Sequence, residues 1–213
     1  MKFSIIIPVH NEKDNIVTLL KNIKRVFENN NTYQFEVIIV DDKSNVPLEI
    51  RNNEILNFFD ISIYRHSENH GQSAAIYTGV IKSKYPIILT LDADGQNDPN
   101  DMITLLEEKD HKSVNLVQGI RVNRKDNFSK RISSKIANYL RSSILGDNCS
   151  DSGCSFRVFD KSNFKKINYF DHMHRFMPYL FLVHNYTISY VNVTHRKRLH
   201  GQSNYNNINR FIS

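Results

Sequence analysis

Short apolar runs and helix-like periodicities alternate along the first 120 residues of the chain. Each run is rich in Ile, Val or Leu and is followed by a polar turn, which is typical of buried strands. The predicted strands are residues 3–9, 35–40, 61–64, 87–91 and 114–119. Helices are predicted between them, because apolar residues recur at helical spacing over residues 13–28 and 72–82 and at Met102, Leu105 and Leu106.

This alternation predicts an α/β fold, in which a mostly parallel sheet carries helices on both faces. Such sheets bind ligands beyond the carboxyl ends of their strands, and polar clusters follow three of the predicted strands. After residue 119 the pattern loosens. It then indicates a basic helix (128–145), a turn rich in Asp, Ser and Gly, a second apolar helix (176–183) and a late strand (188–193).

Length and composition narrow the class of protein. A chain of 213 residues suits one α/β domain. The formal net charge of +6 fits a nucleic acid, an anionic membrane surface, a phosphorylated substrate or simply a solvated basic face. Cys149 and Cys154 stand without a wider cysteine framework, which favours a reducing cytosol. Neither a signal peptide nor an apolar run of roughly 20 residues is found, so we expect a domain that does not span a membrane.

Two carboxylates at positions i and i+2 follow the predicted strand 87–91. Asp92 and Asp94 can turn oxygens toward one hard cation, and Gln96 can add a neutral oxygen, which together suit Mg²⁺ or Mn²⁺. The alternative is structural: Asp94 would start a turn with Gly95, and Asp98 would cap the next helix.

Polar groups also follow the first two strands. Asp41 and Asp42 can accept hydrogen bonds from a ribose or a base, whereas an Asx turn explains only one of them. The segment 8–12 (PVHNE) ends the first strand. Its structural explanation is a strand stopped by proline, with Asn11 or Asp14 capping the next helix.

Taken together, these motifs identify a family. The segments IIIPVHNEKDNI, VIIVDDKS, NHGQSAAIYTG and LTLDADGQNDP, in this order, resemble inverting family 2 glycosyltransferases with the A-type fold, a Rossmann-like sheet with helices on both faces. Later segments resemble the branch of dolichyl- and polyprenyl-phosphate sugar transferases: GIRVNRKD, KRISSKIANYL, DSGCSFRVF, MHRFMPYL and THRKRLHGQSNYN. The resemblance covers nearly the whole chain and implies a single catalytic domain over residues 1–213. Its donor half would be about 1–120, its acceptor half about 121–205 and its tail 206–213.

The resemblance assigns roles to individual residues. Those expected to bind the nucleotide sugar are Pro8, His10, Glu12, Asp41, Asp42, Asp92, Ser134, Arg196 and Ser203. Asp92, Asp94 and Gln96 are expected to hold Mg²⁺ or Mn²⁺, and the expected catalytic residues are Asp94, Arg121 and Arg131. The family's late Ser-Lys-Tyr-Gly segment reads Ser-Asn-Tyr-Asn at residues 203–206, so one basic contact is missing there.

The implied reaction transfers a hexose from GDP-mannose or a UDP-sugar, with inversion, to a polyprenyl or dolichyl phosphate. A lipid phosphate, whose second pKa is about 6, is already anionic and needs little help from a general base. His174 and Arg175 stand where relatives with hydroxyl acceptors often have an acidic residue, although Asp171 is near. This basic pair favours the phosphate acceptor over a saccharide hydroxyl, although packing at the end of the helix would explain His174 equally well.

Other classes of protein fit the sequence less well. A nucleotidyltransferase would favour a glycine-rich phosphate loop, and residues 7–12 contain no glycine. A nucleic-acid-binding module is supported by charge and by ten tyrosines but lacks a recognisable motif, so we expect no nucleic acid partner. The expected location is the cytoplasm, at the cytoplasmic face of a membrane, through peripheral contact or a separate membrane partner.

Overall fold

The computed structural model describes residues 1–122, 146 and 149–197. In this part of the chain seven strands form one sheet in the order β3-β2-β1-β4-β6-β5-β7. The strands are β1 (Lys2–Val9), β2 (Gln34–Asp41), β3 (Ile61–Arg65), β4 (Ile87–Thr90), β5 (Leu116–Val122), β6 (Arg157–Asp160) and β7 (Ile188–Thr194). The helices are α1 (Lys13–Phe27), α2 (Asn53–Phe58), α3 (Gly71–Lys82), α4 (Asp101–Lys112), α5 (Lys161–Phe164) and α6 (Met177–Val183), with a 3-10 helix at Met173–Arg175.

The strands are apolar on both faces because helices cover both. On one face, alternate residues of β1 and β2 such as Ile5 and Val37 pack in a cluster with α1, α2 and α4. On the other face, Ile6 and Ile88 pack with α3, α5, the 3-10 helix and α6. The predicted sheet with helices on both faces is therefore confirmed.

One strand runs against the others. β6 pairs antiparallel with both β4 and β5, whereas all the other pairings are parallel. Because β6 is reversed, it begins at the edge of the sheet where its neighbours end. Residues 149–156, which precede β6, are thereby brought to that edge.

Helix α3 lies unusually close to β1. A Cβ atom added at Gly79 would stand 2.5 Å from Cγ2 of Ile6, closer than carbon atoms can pack. The missing side chain therefore sets the distance between this helix and the centre of the sheet.

The predicted elements match the structure to within two residues at either end, with two exceptions: β5 ends three residues later than predicted, and the extent of the helix entered at Met102 was left open. Four short elements were not predicted: α2, β6, α5 and the 3-10 helix. The predicted basic helix 128–145 lies outside the described residues. None of the helices in the described part of the chain combines the length and apolar composition needed to cross a bilayer.

Candidate functional site

The predicted site residues of the described chain gather at one edge of the sheet, where the parallel strands end. We call this edge the rim. Residues 8–12 include the end of β1 and the three residues after it, Asp41 ends β2 and Asp42 follows it, and residues 92–96 lie after β4. Arg121 lies near the end of β5, and Arg196 comes two residues after β7. The parallel pairing of β1 with β2 and β4 explains why the first three groups are neighbours.

The loop after β1 is tied to the loop after β2 through Asn11. Its backbone N–H donates to Oγ of Ser44 at 2.9 Å, and its side-chain oxygen accepts from the N–H of Asn45 at 2.8 Å. Asn11 adopts a left-handed conformation with φ of 60°, which asparagine tolerates better than most residues. Helix α1 has no side-chain cap, so Asn11 does not cap it as the structural alternative supposed.

His10 and Glu12 also have partners in this loop. Nδ1 of His10 lies 2.8 Å from the carbonyl oxygen of Asp42, so this nitrogen carries the proton and donates it. Nε2 then accepts from the side-chain amide of Asn11 at 3.0 Å. Oε2 of Glu12 accepts from the amide of Asn15 at 2.6 Å. Pro8, the remaining predicted residue here, is half-buried in β1.

Asp41 is buried and organises the loop that follows β2. Its Oδ1 accepts from the N–H of Ser44 at 2.8 Å, and its Oδ2 accepts from Nη1 of Arg65. Burial opposes the negative charge, but the hydrogen bonds of Ser44 and Leu48 and the charge of Arg65 outweigh it and lower the pKa of Asp41. The carboxylate is therefore ionised and holds the turn that leads into Ser44, although its hydrogen bond goes to the third residue on and not to the second, as in the Asx turn suggested by the sequence.

Asp42 has a different structural partner, which the sequence did not reveal. Its two oxygens accept from the backbone N–H groups of His70 at 2.9 Å and Gly71 at 2.7 Å, where α3 begins. Oδ1 also lies 2.7 Å from Nδ1 of His66. The two adjacent aspartates thus hold two different loops, and the nucleoside role predicted for both stays a prediction.

The loop after β4 is folded by its own polar groups. Oδ1 of Asp94 accepts from the N–H of Gln96 at 3.0 Å, and Gly95 has a φ of 74°. The N–H of Asp92 donates to Oδ1 of Asn97 at 3.1 Å. Asp94 therefore forms the turn named as its structural alternative. That turn still leaves Asp92 and Asp94 half-buried at the rim.

The chemistry of this loop fits a hard divalent cation. Among the described residues no group of three or more His, Cys, Asp or Glu side chains surrounds a possible metal position. Mg²⁺ is commonly held by only one or two carboxylates, with water and substrate phosphates completing its coordination. Asp92 and Asp94 are such a pair, so they suit a cation that binds together with a diphosphate better than one held by the protein alone.

The same loop is joined to the chain that leaves β7. The N–H of Arg196 donates to the carbonyl of Gln96 at 2.8 Å, and Nε2 of Gln96 donates back to the carbonyl of Arg196 at 3.4 Å. The guanidinium of Arg196 pairs with Asp98. Oδ1 of Asp98 also accepts from the N–H of Asn100 at 3.0 Å, in the turn just before α4 begins, as its structural alternative supposed. Because a guanidinium has five N–H donors, pairing with Asp98 leaves some of them available, and the contact of Arg196 with the donor stays a prediction.

Arg121 is held by a carboxylate 30 residues away. Nε and Nη2 of Arg121 donate to the two oxygens of Asp151 at 2.7 and 2.6 Å, and the backbone N–H of Arg121 donates to the same carboxylate at 3.1 Å. Burial opposes the positive charge, but Asp151 outweighs it and raises the pKa of Arg121. Arg121 is thus a cation at the rim whose side chain is fixed by its ion pair with Asp151, and the catalytic role predicted for it stays a prediction.

A second arginine lies beneath the rim. Arg157 is 1% exposed, and its guanidinium donates to Oε1 of Gln118 at 2.6 Å and to the carbonyl of Ser152 at 2.7 Å. These bonds fix the segment that carries Asp151 against β5. Burial lowers the pKa of Arg157. Neither Asp151 nor Arg157 was predicted from the sequence as a site residue.

His174 is not the basic residue that the sequence suggested. It is buried, and its Nδ1 lies 2.6 Å from Oγ of Ser73, whose oxygen also accepts from the N–H of His174 at 3.2 Å. Burial, together with the charges of Arg157 and Arg175, lowers the pKa of His174 to about 3. His174 is therefore neutral at physiological pH, and the interpretation of residues 174–175 as a basic pair was wrong for its first member.

This buried histidine predicts a pH effect. Because its folded pKa lies below its unfolded value, the stability it contributes falls as pH drops below the unfolded pKa of about 6.5. Between pH 7 and pH 5 the wild type should lose about 2 kcal/mol more unfolding free energy than His174→Gln. Urea unfolding of both proteins at the two pH values measures this difference. Equal losses in the two proteins would contradict it.

Asp171, the acidic residue considered near the start of α6, is exposed and accepts from the hydroxyl of Tyr169 at 2.8 Å. Both residues line an open cleft of about 490 Å³ along α3, together with His66 and His70. Burial and the neighbouring Asp171 raise the pKa of Tyr169 to about 12. Three predicted site residues, Arg131, Ser134 and Ser203, lie outside the described residues.

Comparison with known proteins identifies the family. The model of glycosyl transferase family 2 matches residues 4–168. The chain is 31% identical over 210 residues to dodecaprenyl-phosphate galacturonate synthase of Rhizobium johnstonii, covering 96% of this chain and 62% of the relative. It is 31% identical over 208 residues to undecaprenyl-phosphate 4-deoxy-4-formamido-L-arabinose transferase of Edwardsiella ictaluri, covering 95% of this chain and 62% of that protein. The chain thus spans less than two thirds of the length of these relatives.

Solved structures of other proteins share the fold of this chain. Staphylococcus aureus TarS 1-349, crystallised with UDP-GlcNAc, superposes with a TM-score of 0.63 at 20% identity, covering 94% of this chain and 60% of that chain. Mycobacterium tuberculosis glucosyl-3-phosphoglycerate synthase was crystallised with Mn²⁺, UDP and glucosyl-3-phosphoglycerate. It superposes with a TM-score of 0.71 at 14% identity, covering 92% of this chain and 72% of that chain. The fold is therefore that of an A-type glycosyltransferase. The chain belongs to glycosyl transferase family 2.

Proposed function

We propose that this protein transfers a sugar from a nucleoside diphosphate sugar to a polyprenyl phosphate, with inversion at the anomeric carbon. The observation that carries the proposal is the convergence of Asp92, Asp94 and the fixed cation Arg121 at one rim of a family 2 fold. Both relatives named above are synthases or transferases whose names include a polyprenyl phosphate. The specific donor, a hexose carried by GDP or UDP, stays a prediction.

The residues of the rim suit the departure of a nucleoside diphosphate. Breaking the bond at the anomeric carbon leaves negative charge on the diphosphate, and fixed positive groups aimed at that charge stabilise the transition state more than the ground state. A divalent cation bound by Asp92 and Asp94 would supply Lewis-acid stabilisation of this charge. Arg121 needs no reorganisation to act, because Asp151 already holds its guanidinium.

The acceptor is proposed to be a phosphate because little near α6 suits proton abstraction. His174 is buried, neutral and hydrogen-bonded to Ser73. Asp171 is exposed and bonded to Tyr169. A phosphate whose second pKa is about 6 is already a nucleophilic anion at neutral pH, so the reaction needs no strong general base. We further propose that residues 1–120 serve the donor and residues 121–205 the acceptor.

A lipid acceptor also places the domain at a membrane surface, which we propose to be the cytoplasmic face. Exposed apolar side chains lie between Ile167 and His184, at Tyr169, Phe170, Leu182 and Val183. Lys165 and Lys166 lie just before this stretch and are exposed. Basic residues beside exposed aromatic side chains favour anionic bilayer surfaces. Contact through a separate membrane partner is the alternative.

The reaction is tested by incubating the protein with labelled UDP-glucose, UDP-N-acetylglucosamine or GDP-mannose, with Mn²⁺ or Mg²⁺ and undecaprenyl phosphate. We expect label in the organic-solvent phase with at least one donor, and none when EDTA replaces the metal. Undecaprenol, which offers a hydroxyl in place of the phosphate, is the matched control. Labelled saccharides without labelled lipid would instead favour the hydroxyl-acceptor alternative, and no transfer from any donor would contradict the proposal.

A further inference from the structure

The first turn of α3 connects two carboxylates of the rim. Asp42 accepts from the backbone N–H groups of His70 and Gly71, so the start of the helix is anchored to the loop after β2. One residue later, Nε2 of Gln72 donates to Oδ1 of Asp92 at 2.8 Å. A single helical turn therefore joins the carboxylate that follows β2 to the one that follows β4.

Gln72 is presented by a rigid element. The next residue, Ser73, is buried and hydrogen-bonded at 2.6 Å to His174 of the 3-10 helix. Further along the helix, Gly79 leaves room only for direct contact with Ile6 of β1. Because α3 is held by the side chain of Ser73 and by the close contact at Gly79, the amide of Gln72 reaches Asp92 from a helix that is fixed on both sides.

The hydrogen bond fixes the direction of the Asp92 carboxylate. The backbone N–H of Asp92 is held by Asn97, and one of its side-chain oxygens is held by Gln72. Carboxylates that bind metals are usually oriented by such a second partner, whose loss weakens metal binding. An amide is suited to this task because it donates a hydrogen bond without bringing a positive charge that would repel the cation.

We propose that Gln72 is a positioning residue that orients Asp92 for a divalent cation. This inference rests on the proposed function, because it takes Asp92 as a ligand of the cation. The competing explanation is that the contact only packs the start of α3 against the loop after β4. The two explanations differ in whether metal binding, rather than folding, depends on the Gln72 amide.

Gln72→Met tests the inference, because methionine keeps the length and helix propensity of glutamine but cannot donate. Mn²⁺ binding is followed by electron paramagnetic resonance with the protein alone, with UDP and with GDP. We expect the Mn²⁺ concentration for half-saturation to rise about 10-fold. The thermal midpoint of the metal-free protein should change little. Gln34→Met, at an exposed position at the start of β2, is the matched control.

A second variant keeps the inference testable if Gln72→Met folds poorly. Gln72→Lys restores a donor to Asp92 but adds a positive charge beside the cation. We expect it to fold as well as the wild type in EDTA and to bind Mn²⁺ more weakly than Gln72→Met. Wild-type Mn²⁺ binding by either variant would overturn the inference.

Asp92→Asn in the same titration separates the two proposals. If Asp92→Asn loses Mn²⁺ binding while Gln72→Met keeps it, only the role of Gln72 is wrong. If Asp92→Asn binds Mn²⁺ as the wild type does, the metal loop of the proposed function and the role of Gln72 both fail.

Discussion

Changing Asp92 and Asp94 together to asparagine is expected to lower sugar transfer by about 1000-fold or more. Asparagine keeps the size of each side chain and can still accept the hydrogen bonds from Gln72 and from the N–H of Gln96. It removes the two negative charges that would hold the cation. Stabilisation of leaving-group charge by a metal is worth several kcal/mol, and each 1.4 kcal/mol corresponds to a factor of ten in rate. The measurement is the initial rate of labelled lipid formation at saturating donor and Mn²⁺.

The matched control removes two negative charges elsewhere. Glu107→Gln combined with Asp110→Asn changes two exposed residues on α4 and alters the net charge equally. This variant should transfer sugar at close to the wild-type rate. If the Asp92 and Asp94 double variant retained metal-dependent nucleotide binding and transfer, the proposed mechanism would be wrong.

Asp151→Ala is expected to lower the free energy of unfolding by about 3–5 kcal/mol, because it leaves the guanidinium of Arg121 without its counter-ion in a largely buried place. Asp151 is 6% exposed and Arg121 18% exposed at the side chain, so water replaces the lost partner poorly. Three hydrogen bonds are lost together. Chemical denaturation at pH 7 measures the change.

A double-mutant cycle shows whether this loss of unfolding free energy arises from the interaction between Asp151 and Arg121. Arg121→Met should cost less in the Asp151→Ala background than in the wild type, since the carboxylate that Arg121 neutralises is then absent. Asp60→Ala breaks the exposed pair with Lys84 and should change stability little. Additive effects of the changes at 121 and 151 would show that the two side chains act independently.

The sheet was predictable because its parallel strands are continuous apolar runs, and the helices between them have clear periodicity. β6 was missed for a physical reason. Its first residue is Arg157, a charge that normally marks a surface, yet here Gln118 and a backbone carbonyl satisfy its guanidinium inside the protein. Helix α2, with six residues, is too short to show a helical repeat.

The gathering of the candidate site residues was also predictable, since polar residues after parallel strands meet at one rim. The contacts that hold those residues were not. Asp42 caps a helix that begins 29 residues later, and Arg121 meets Asp151 across 30 residues of chain. Such pairings depend on tertiary packing. No local pattern distinguishes an aspartate that will hold a helix from one that will hold a ligand.

The absence of a side chain at Gly79 links the interior of the sheet to the reactivity of its edge. Since α3 rests directly on Ile6, the height of this helix above the sheet is fixed by contact between carbon atoms. Because Gln72 lies on the same helix, the distance between its side-chain amide and Asp92 depends on this contact too. A larger residue at position 79 would push α3 away from the sheet. If Gln72 orients Asp92 as proposed, this substitution would weaken cation binding without changing any residue that a substrate touches.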